Sequence, residues 1–173
     1  MIPSTSHSQK KGFTLLELML SIAFAGILIA AITQWFAATV QTQAKIDSME
    51  QVNYYGAKIM HDILQSIRNA QSISTPSQGA TASSISIIVD TGSKSPTLFD
   101  VSSSIIRMTE GVQAPQLLHP NWIVASNFSA TNLSYASTPG TVRVQFTLSR
   151  KNPSNIPSFS YQQTFYGSAN VRQ

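Results

Sequence analysis

The sequence predicts an α+β fold, in which a long N-terminal α-helix packs on a C-terminal antiparallel β-sheet head. Three observations predict it. Residues 13–39 are almost uniformly apolar, residues 40–72 place apolar side chains at steps of three and four, and residues 73–173 hold short alternating segments between turn residues. A continuous apolar run, a helical period and a period of two are the respective signals of a membrane helix, an amphipathic helix and strands.

The first half of the predicted helix has the length and composition of a transmembrane segment. From Phe13 to Thr33 the only ionisable residue is Glu17, and a bilayer core needs about 20 apolar residues. Lys10 and Lys11 precede the run and the next basic residue is Lys45, which places the N-terminus in the cytoplasm and the C-terminal domain outside. A cleaved secretory signal peptide is the alternative, but this run is long and Gln34 to Phe36 do not form its small-residue cleavage site.

The second half of the helix is amphipathic. Its stripe is predicted to comprise Val40, Ala44, Met49, Val52, Gly56, Ile59, Ile63 and Ile67, widened by Tyr55, Met60 and Leu64. Because no proline interrupts the pattern, we expect one helix from about Phe13 to about Ser72. The stripe either packs on the following domain or forms an intermolecular coiled coil.

The remainder of the chain reads as a β-rich head. A loop is expected over residues 76–84, and strands are expected at residues 86–89, 97–101, 104–108, 121–125, 132–135, 142–148 and 158–165. The second and third of these are expected to pair as a hairpin. With no helix between them, the strands predict an antiparallel sheet with one face covered by the amphipathic helix.

Composition argues against several classes of function. The chain has no cysteine, which excludes disulfides and thiol chemistry. Its net charge is +4, and without residues 1–12 the remaining nine basic and seven acidic residues leave only +2, so nucleic acid is not expected as a partner. His7, His61 and His119 have no metal-ligand spacing and no catalytic motif is present, so we expect no enzyme, no cofactor and no metal.

The segment from Lys10 to Glu17 reads Lys-Lys-Gly-Phe-Thr-Leu-Leu-Glu and carries the candidate functional residues. Lys10 and Lys11 form a cytoplasmic flank, and Gly12 leaves the backbone open to a peptidase. Glu17 either stays wet at the membrane interface or pairs with a cation on another chain. Cleavage between Gly12 and Phe13 would create such a cation, because Phe13 would acquire an α-amino group.

This segment and the apolar helix after it closely resemble the class III signal of type IV pilins and of the pseudopilins of type II secretion. The resemblance covers residues 10–32 and implies a pilin-like fold. It implies that a membrane prepilin peptidase cuts after Gly12 and methylates Phe13, and that Glu17 is the assembly acid at mature position five. Many major pilins have a helix-kinking proline that is missing here, since none occurs between Pro3 and Pro76. This departure, and a strand order similar to that of the larger minor pseudopilins, favour a minor subunit.

The resemblance implies a structural subunit of a type II secretion or type IV pilus-like filament. The expected parts are a leader at residues 1–12, a transmembrane and filament-core helix at 13–39, an amphipathic helix at 40–72 and a head at 73–173. The expected partners are other pilins or pseudopilins, the prepilin peptidase, the inner-membrane assembly platform and membrane lipid. The alternative is a filament-tip binding module that captures DNA, a surface or a secreted substrate.

Two further sets of head residues are candidates for binding or modification. Asp90, Asp100 and Glu110 lie near predicted strand ends, where the family resemblance makes a shared calcium site conceivable, although turn carboxylates are usually solvated. Asn127-Phe128-Ser129 and Asn132-Leu133-Ser134 match glycosylation sequons, which we interpret as chance matches.

Overall fold

The computed structural model describes residues 14–135, 140–152 and 160–172. The chain divides into two compact units, one up to Gln41 and the other from Thr42 onward. One α-helix, α1, runs from Leu15 to Arg68 and therefore contributes to both units. All nine strands that the structure describes belong to the second unit.

The strands form two antiparallel sheets. Their bounds are β1 Ala70–Thr75, β2 Thr81–Ala82, β3 Ile85–Val89, β4 Thr97–Ser102, β5 Ile105–Glu110, β6 Gln116–Leu117, β7 Ile123–Asn132, β8 Thr141–Arg150 and β9 Gln162–Asn170. The five-stranded sheet has the order β1-β3-β4-β5-β6, and the four-stranded sheet has the order β2-β7-β8-β9. The expected hairpin is confirmed as β4 and β5, joined through Ser103 and Ser104.

The second half of α1 packs its buried face against both sheets in one core. Ile59, Ile63 and Ile67 are completely buried on the helix, as are Phe99 of the five-stranded sheet and Phe146 of the four-stranded sheet. Burying such side chains stabilises the fold by about 1.5–3 kcal/mol each. Of the two arrangements left open for the stripe, packing on the following domain is therefore the one that the structure shows.

Two glycines bring α1 and β9 into close contact. A Cβ on Gly56 of the helix would lie 2.0 Å from the Cζ atom of Phe165 on β9. A Cβ on Gly167 of β9 would lie 2.5 Å from the Sδ atom of Met60 on the helix. The ring of Phe165 therefore packs against the helix at Gly56, and the side chain of Met60 packs against β9 at Gly167, because neither glycine has a side chain in the way.

The buried face of α1 differs from the predicted stripe at its N-terminal end. Val40 is 52% exposed and Met49 is 36% exposed, whereas Ser48 is completely buried. The Ser48 hydroxyl donates to the carbonyl oxygen of Ala44 at 2.7 Å and accepts from Nη1 of Arg150 at 2.8 Å. A polar residue can be buried there because its hydrogen bonds are made within the fold.

The helix also ends earlier than predicted, at Arg68 rather than near Ser72. Residues 70–75 form β1 because they pair with β3, with Ala70 opposite Val89 and Ile73 opposite Ile87. This long-range pairing outweighs the local continuation of the helical pattern.

The predicted strands need four corrections. The expected loop at residues 76–84 contains β2, and β6 was not anticipated at all. The segments at 121–125 and 132–135 are instead one long strand, β7, which ends at Asn132 and is interrupted by a register shift between Ser126 and Ser129. The last strand begins at Gln162 and continues to Asn170, while residues 158 and 159 lie outside the described residues.

Candidate functional site

The N-terminus of α1 carries the one site residue of the signal segment that the structure describes. Helix α1 begins at Leu15, directly after Thr14, and Glu17 lies in its first turn. The backbone N–H of Glu17 donates to Oγ1 of Thr14 at 3.3 Å, which is the arrangement of an N-terminal helix cap. The cap was readable from the sequence, because Thr14-x-x-Glu17 matches the capping-box pattern.

The helix cap at Thr14 and the helix dipole both favour Glu17 at this position, but its charge has no oppositely charged partner among the described residues. An acidic residue in the first turn is favoured by the helix dipole. Its carboxylate nevertheless forms no ion pair within the described part of the chain, where the ion pairs are Lys94–Glu110 and Arg107–Asp100. Gly12, Phe13, Lys10 and Lys11 lie outside the described residues, so the structure leaves their placement open.

The apolar part of α1 presents a continuous exposed surface. Every residue from Thr14 to Gln43 is exposed, including Leu16 at 75%, Trp35 at 71% and Phe36 at 66%. By length and composition α1 could cross a membrane, and none of its most apolar stretch is buried in the structure. So large an apolar surface on a water-soluble chain would be an interaction site.

Three hydroxyl groups within this surface form their hydrogen bonds locally. The hydroxyls of Ser21, Thr33 and Thr39 donate to the carbonyl oxygens four residues earlier, at 2.8, 2.8 and 3.0 Å. Bonds of this kind remove the cost of placing a hydroxyl where no water is available. This part of the helix is thus suited to lipid or to other apolar helices.

The two histidines that the structure describes lie in different surroundings. His61 is exposed on α1, and His7 lies outside the described residues. His119 is buried, accepts from the Ile106 N–H at Nε2 (3.0 Å) and has Nδ1 3.1 Å from the Pro120 carbonyl oxygen. Nδ1 therefore carries the proton and donates. Burial lowers the pKa of His119, opposed by the bond to Pro120, so this residue holds the loop after β6 against β5 in its neutral form.

The three head carboxylates considered for calcium are engaged separately. Asp100 forms a two-point ion pair with Arg107, whose pKa it raises mainly through that side-chain hydrogen bond. Glu110 pairs with Lys94 at 3.3 Å, and Asp90 accepts from the Gln71 amide at 2.9 Å. Among the residues described, no three His, Asp or Glu side chains form a group that could hold a metal.

The two sequons differ in accessibility. Asn132 is buried, donates to the carbonyl oxygen of Pro76 at 2.8 Å and accepts from the backbone and the hydroxyl of Ser134. The Asn132 amide therefore links Pro76, which directly follows β1, to the end of β7. Asn127 is exposed with φ at 52°, at the register shift of β7.

Comparison with known families identifies the N-terminal segment. Residues 7–33 match the model of the prokaryotic N-terminal methylation motif, the prepilin-type signal of type IV pilins and pseudopilins. With the long helix and the antiparallel sheets that follow, the chain fits a pilin-like α+β fold. The motif supports a filament-forming structural subunit anchored by a single membrane helix. No curated protein and no solved structure matches the chain.

Proposed function

We propose, from the premise that the chain carries a prepilin-type signal, that it is a minor pseudopilin or minor pilin of a type II secretion or type IV pilus-like filament. One observation supports the proposal: the prepilin-type signal leads directly into a helix whose apolar surface is exposed from Thr14 to Gln43. In a membrane that surface contacts lipid, and in a filament it contacts the same segment of other subunits.

Processing is the first step of the proposed function. The prepilin peptidase cuts between Gly12 and Phe13, because a glycine at the cleavage position lets the catalytic groups approach the backbone, and then methylates the amino group of Phe13. Lys10 and Lys11 keep the leader on the cytoplasmic side, in accordance with the positive-inside rule. The leader comprises residues 1–12 and the core helix residues 13–39. The amphipathic part of the helix follows from residue 40 and ends at Arg68, and the head begins with β1 at Ala70.

Assembly is the second step, and Glu17 directs it. On insertion scales a carboxylate costs about 2.5–3.5 kcal/mol at the centre of a membrane, which is an upper bound for Glu17 in the first turn of α1. Glu17 forms no ion pair within the described residues, and cleavage supplies a cation at Phe13. Pairing the carboxylate of Glu17 in one subunit with the amino group of Phe13 in a neighbour offsets the cost of placing each charge in the membrane. It also fixes the axial position of the incoming subunit. The head stays on the outer side of the inner membrane, and the inner-membrane assembly platform moves the subunit from lipid into the filament.

Substitution of Glu17 tests this assignment. We expect Glu17→Val to insert into the membrane and to be cleaved normally, but to enter filaments poorly when membrane and sheared-filament fractions are compared by immunoblot. The matched control is Glu50→Gln, which removes an exposed acid from the second half of the same helix. Normal incorporation of Glu17→Val would refute the pairing, and failure of its cleavage would show that Glu17 acts in processing instead.

A further inference from the structure

The four-stranded sheet has an outer face that α1 does not cover. Its inner side chains, which include Val144, Phe146 and Ala169, belong to the buried core. Side chains alternate along a strand, so the intervening residues point to the opposite side. The register places Ser129, Gln145 and Tyr166 in one row across β7, β8 and β9, and Thr131, Arg143 and Ser168 in the next.

This outer face is almost free of charge. By register and alternation it comprises fifteen positions on β2, β7, β8 and β9, of which only Arg143 is charged and none is acidic. A surface with the usual quarter to third of charged residues would have about four. The ion pairs Lys94–Glu110 and Arg107–Asp100 both lie on the other sheet and its adjoining turn.

Hydroxyl groups on this face are held in place by cross-strand bonds. Oγ1 of Thr81 lies 2.9 Å from Oγ1 of Thr131, and Oγ1 of Thr141 donates to Oδ1 of Asn170 at 3.1 Å. A hydroxyl has one donor and two acceptor positions, so each keeps hydrogen-bonding capacity for a ligand. Because their rotamers are already fixed, less entropy is lost when a ligand binds.

Tyr166 provides a flat apolar surface in the middle of these polar groups. It is 67% exposed and lies beside Gln145 on the neighbouring strand. An exposed aromatic ring next to amides and fixed hydroxyls matches a sugar chain, which offers an apolar ring face and equatorial hydroxyl groups. A nucleic acid or an acidic polysaccharide needs several cations for its charges, whereas this face has one.

We propose that the outer face of the four-stranded sheet binds a neutral polysaccharide, with Tyr166 stacking on a sugar ring and Gln145 and the row of Thr131, Arg143 and Ser168 bonding to its hydroxyls. None of these residues lies on α1, so the proposal does not use the apolar helix surface that the proposed assembly step requires. It gives the head a ligand class in addition to its proposed structural role.

The experiment is affinity electrophoresis of the full chain in a detergent without sugar head groups. Native gels contain hydroxyethyl cellulose or galactomannan as neutral probes, or alginate as an anionic probe. We expect at least one neutral polysaccharide to retard the protein, with no weakening at high salt. Tyr166→Ala should weaken binding by about tenfold, a typical effect of losing an aromatic contact. The matched control, Tyr54→Ala, removes a tyrosine of similar exposure, 62%, from α1 and should bind as the wild type does.

Four results would overturn the proposal. The first is that neither neutral polysaccharide retards the wild-type chain. The second is that Tyr166→Ala and Tyr54→Ala bind equally. The third is retardation by alginate alone, lost in Arg143→Ala, which would show an anionic ligand. The fourth is concentration-dependent self-association that Tyr166→Ala abolishes, which would assign the face to a second copy of this chain.

Discussion

The contact between Gly56 and Phe165 permits a test of how the helix is held on the sheet. In Gly56→Ala, the new Cβ would lie 2.0, 2.2 and 2.5 Å from three atoms of the Phe165 ring. Ordinary contacts begin at 3.4 Å, so the ring would have to withdraw by more than 1 Å. It is stacked on Phe146 at a centroid distance of 5.5 Å, and Phe146 in turn is stacked on Phe128 at 6.4 Å, which leaves little room.

Two opposing effects determine the free energy of unfolding of this variant. Overpacking a core costs about 1–3 kcal/mol, or more when several atoms collide, while replacing glycine by alanine in a helix gains about 1 kcal/mol. We expect Gly56→Ala to lower the free energy of unfolding by about 1–2 kcal/mol. In a Phe165→Leu background the collision is relieved, so the same substitution should raise it by up to about 1 kcal/mol.

Urea unfolding of the detergent-solubilised chain measures this change of sign. A Trp35→Phe background leaves Trp122, in the head, as the one remaining tryptophan reporter. Gly92→Ala is the control, because a Cβ there would meet nothing within 4 Å, and it should change stability little. If Gly56→Ala stabilises the wild-type chain, or if its effect is the same in both backgrounds, the close contact of α1 with β9 at Gly56 and Phe165 is refuted.

Two further predictions concern the head. Because burial lowers the pKa of His119, the unfolded chain binds a proton there more readily than the folded chain. The contribution of His119 to stability should therefore be fully present above about pH 7 and should be lost as the pH drops below about 6.5. The urea midpoint should change less between about pH 7.5 and 5.5 in His119→Asn than in the wild type, and an equal change would contradict the neutral role. Ser104 lies in the β4–β5 turn with φ at 61°, a backbone conformation that is strained for a residue with a side chain. Ser104→Gly should therefore raise the unfolding free energy by about 0.5–1 kcal/mol. A loss of stability in the same urea assay would show that the turn is not strained.

The sequence predicted the strong periodic features of the fold correctly. The buried residues Val52, Ile59, Ile63 and Ile67 were all in the predicted stripe, since long helical periodicity reflects one buried face. The hairpin of β4 and β5 was found because its strands are adjacent in the sequence and pair locally. The division into two sheets was missed, because pairing such as that of β2 with β7 joins residues about fifty positions apart and has no local signal.

The polar contacts that fix the head were also beyond the sequence pattern. Ser48 appears as a polar interruption of the stripe, and only the approach of Arg150 from β8 makes its burial favourable. His119 appears as an isolated histidine before a proline, and its role depends on the backbone N–H of Ile106 in β5, which donates to its Nε2. The signal segment was different, because its function depends on consecutive residues, which is why the motif at residues 7–33 could be recognised directly.

The central claim is that the functional chain begins at Phe13, and the mass of the N-terminal peptide tests it most directly. The protein would be purified from the membranes of cells that contain the prepilin peptidase, digested, and analysed by tandem mass spectrometry. We predict a first residue of N-methylated Phe13 in the wild type, and an intact chain still carrying residues 1–12 when Gly12 is replaced by leucine. A mature chain that begins at Met1, or one that begins after the small residues Ala37 and Ala38, would contradict the account.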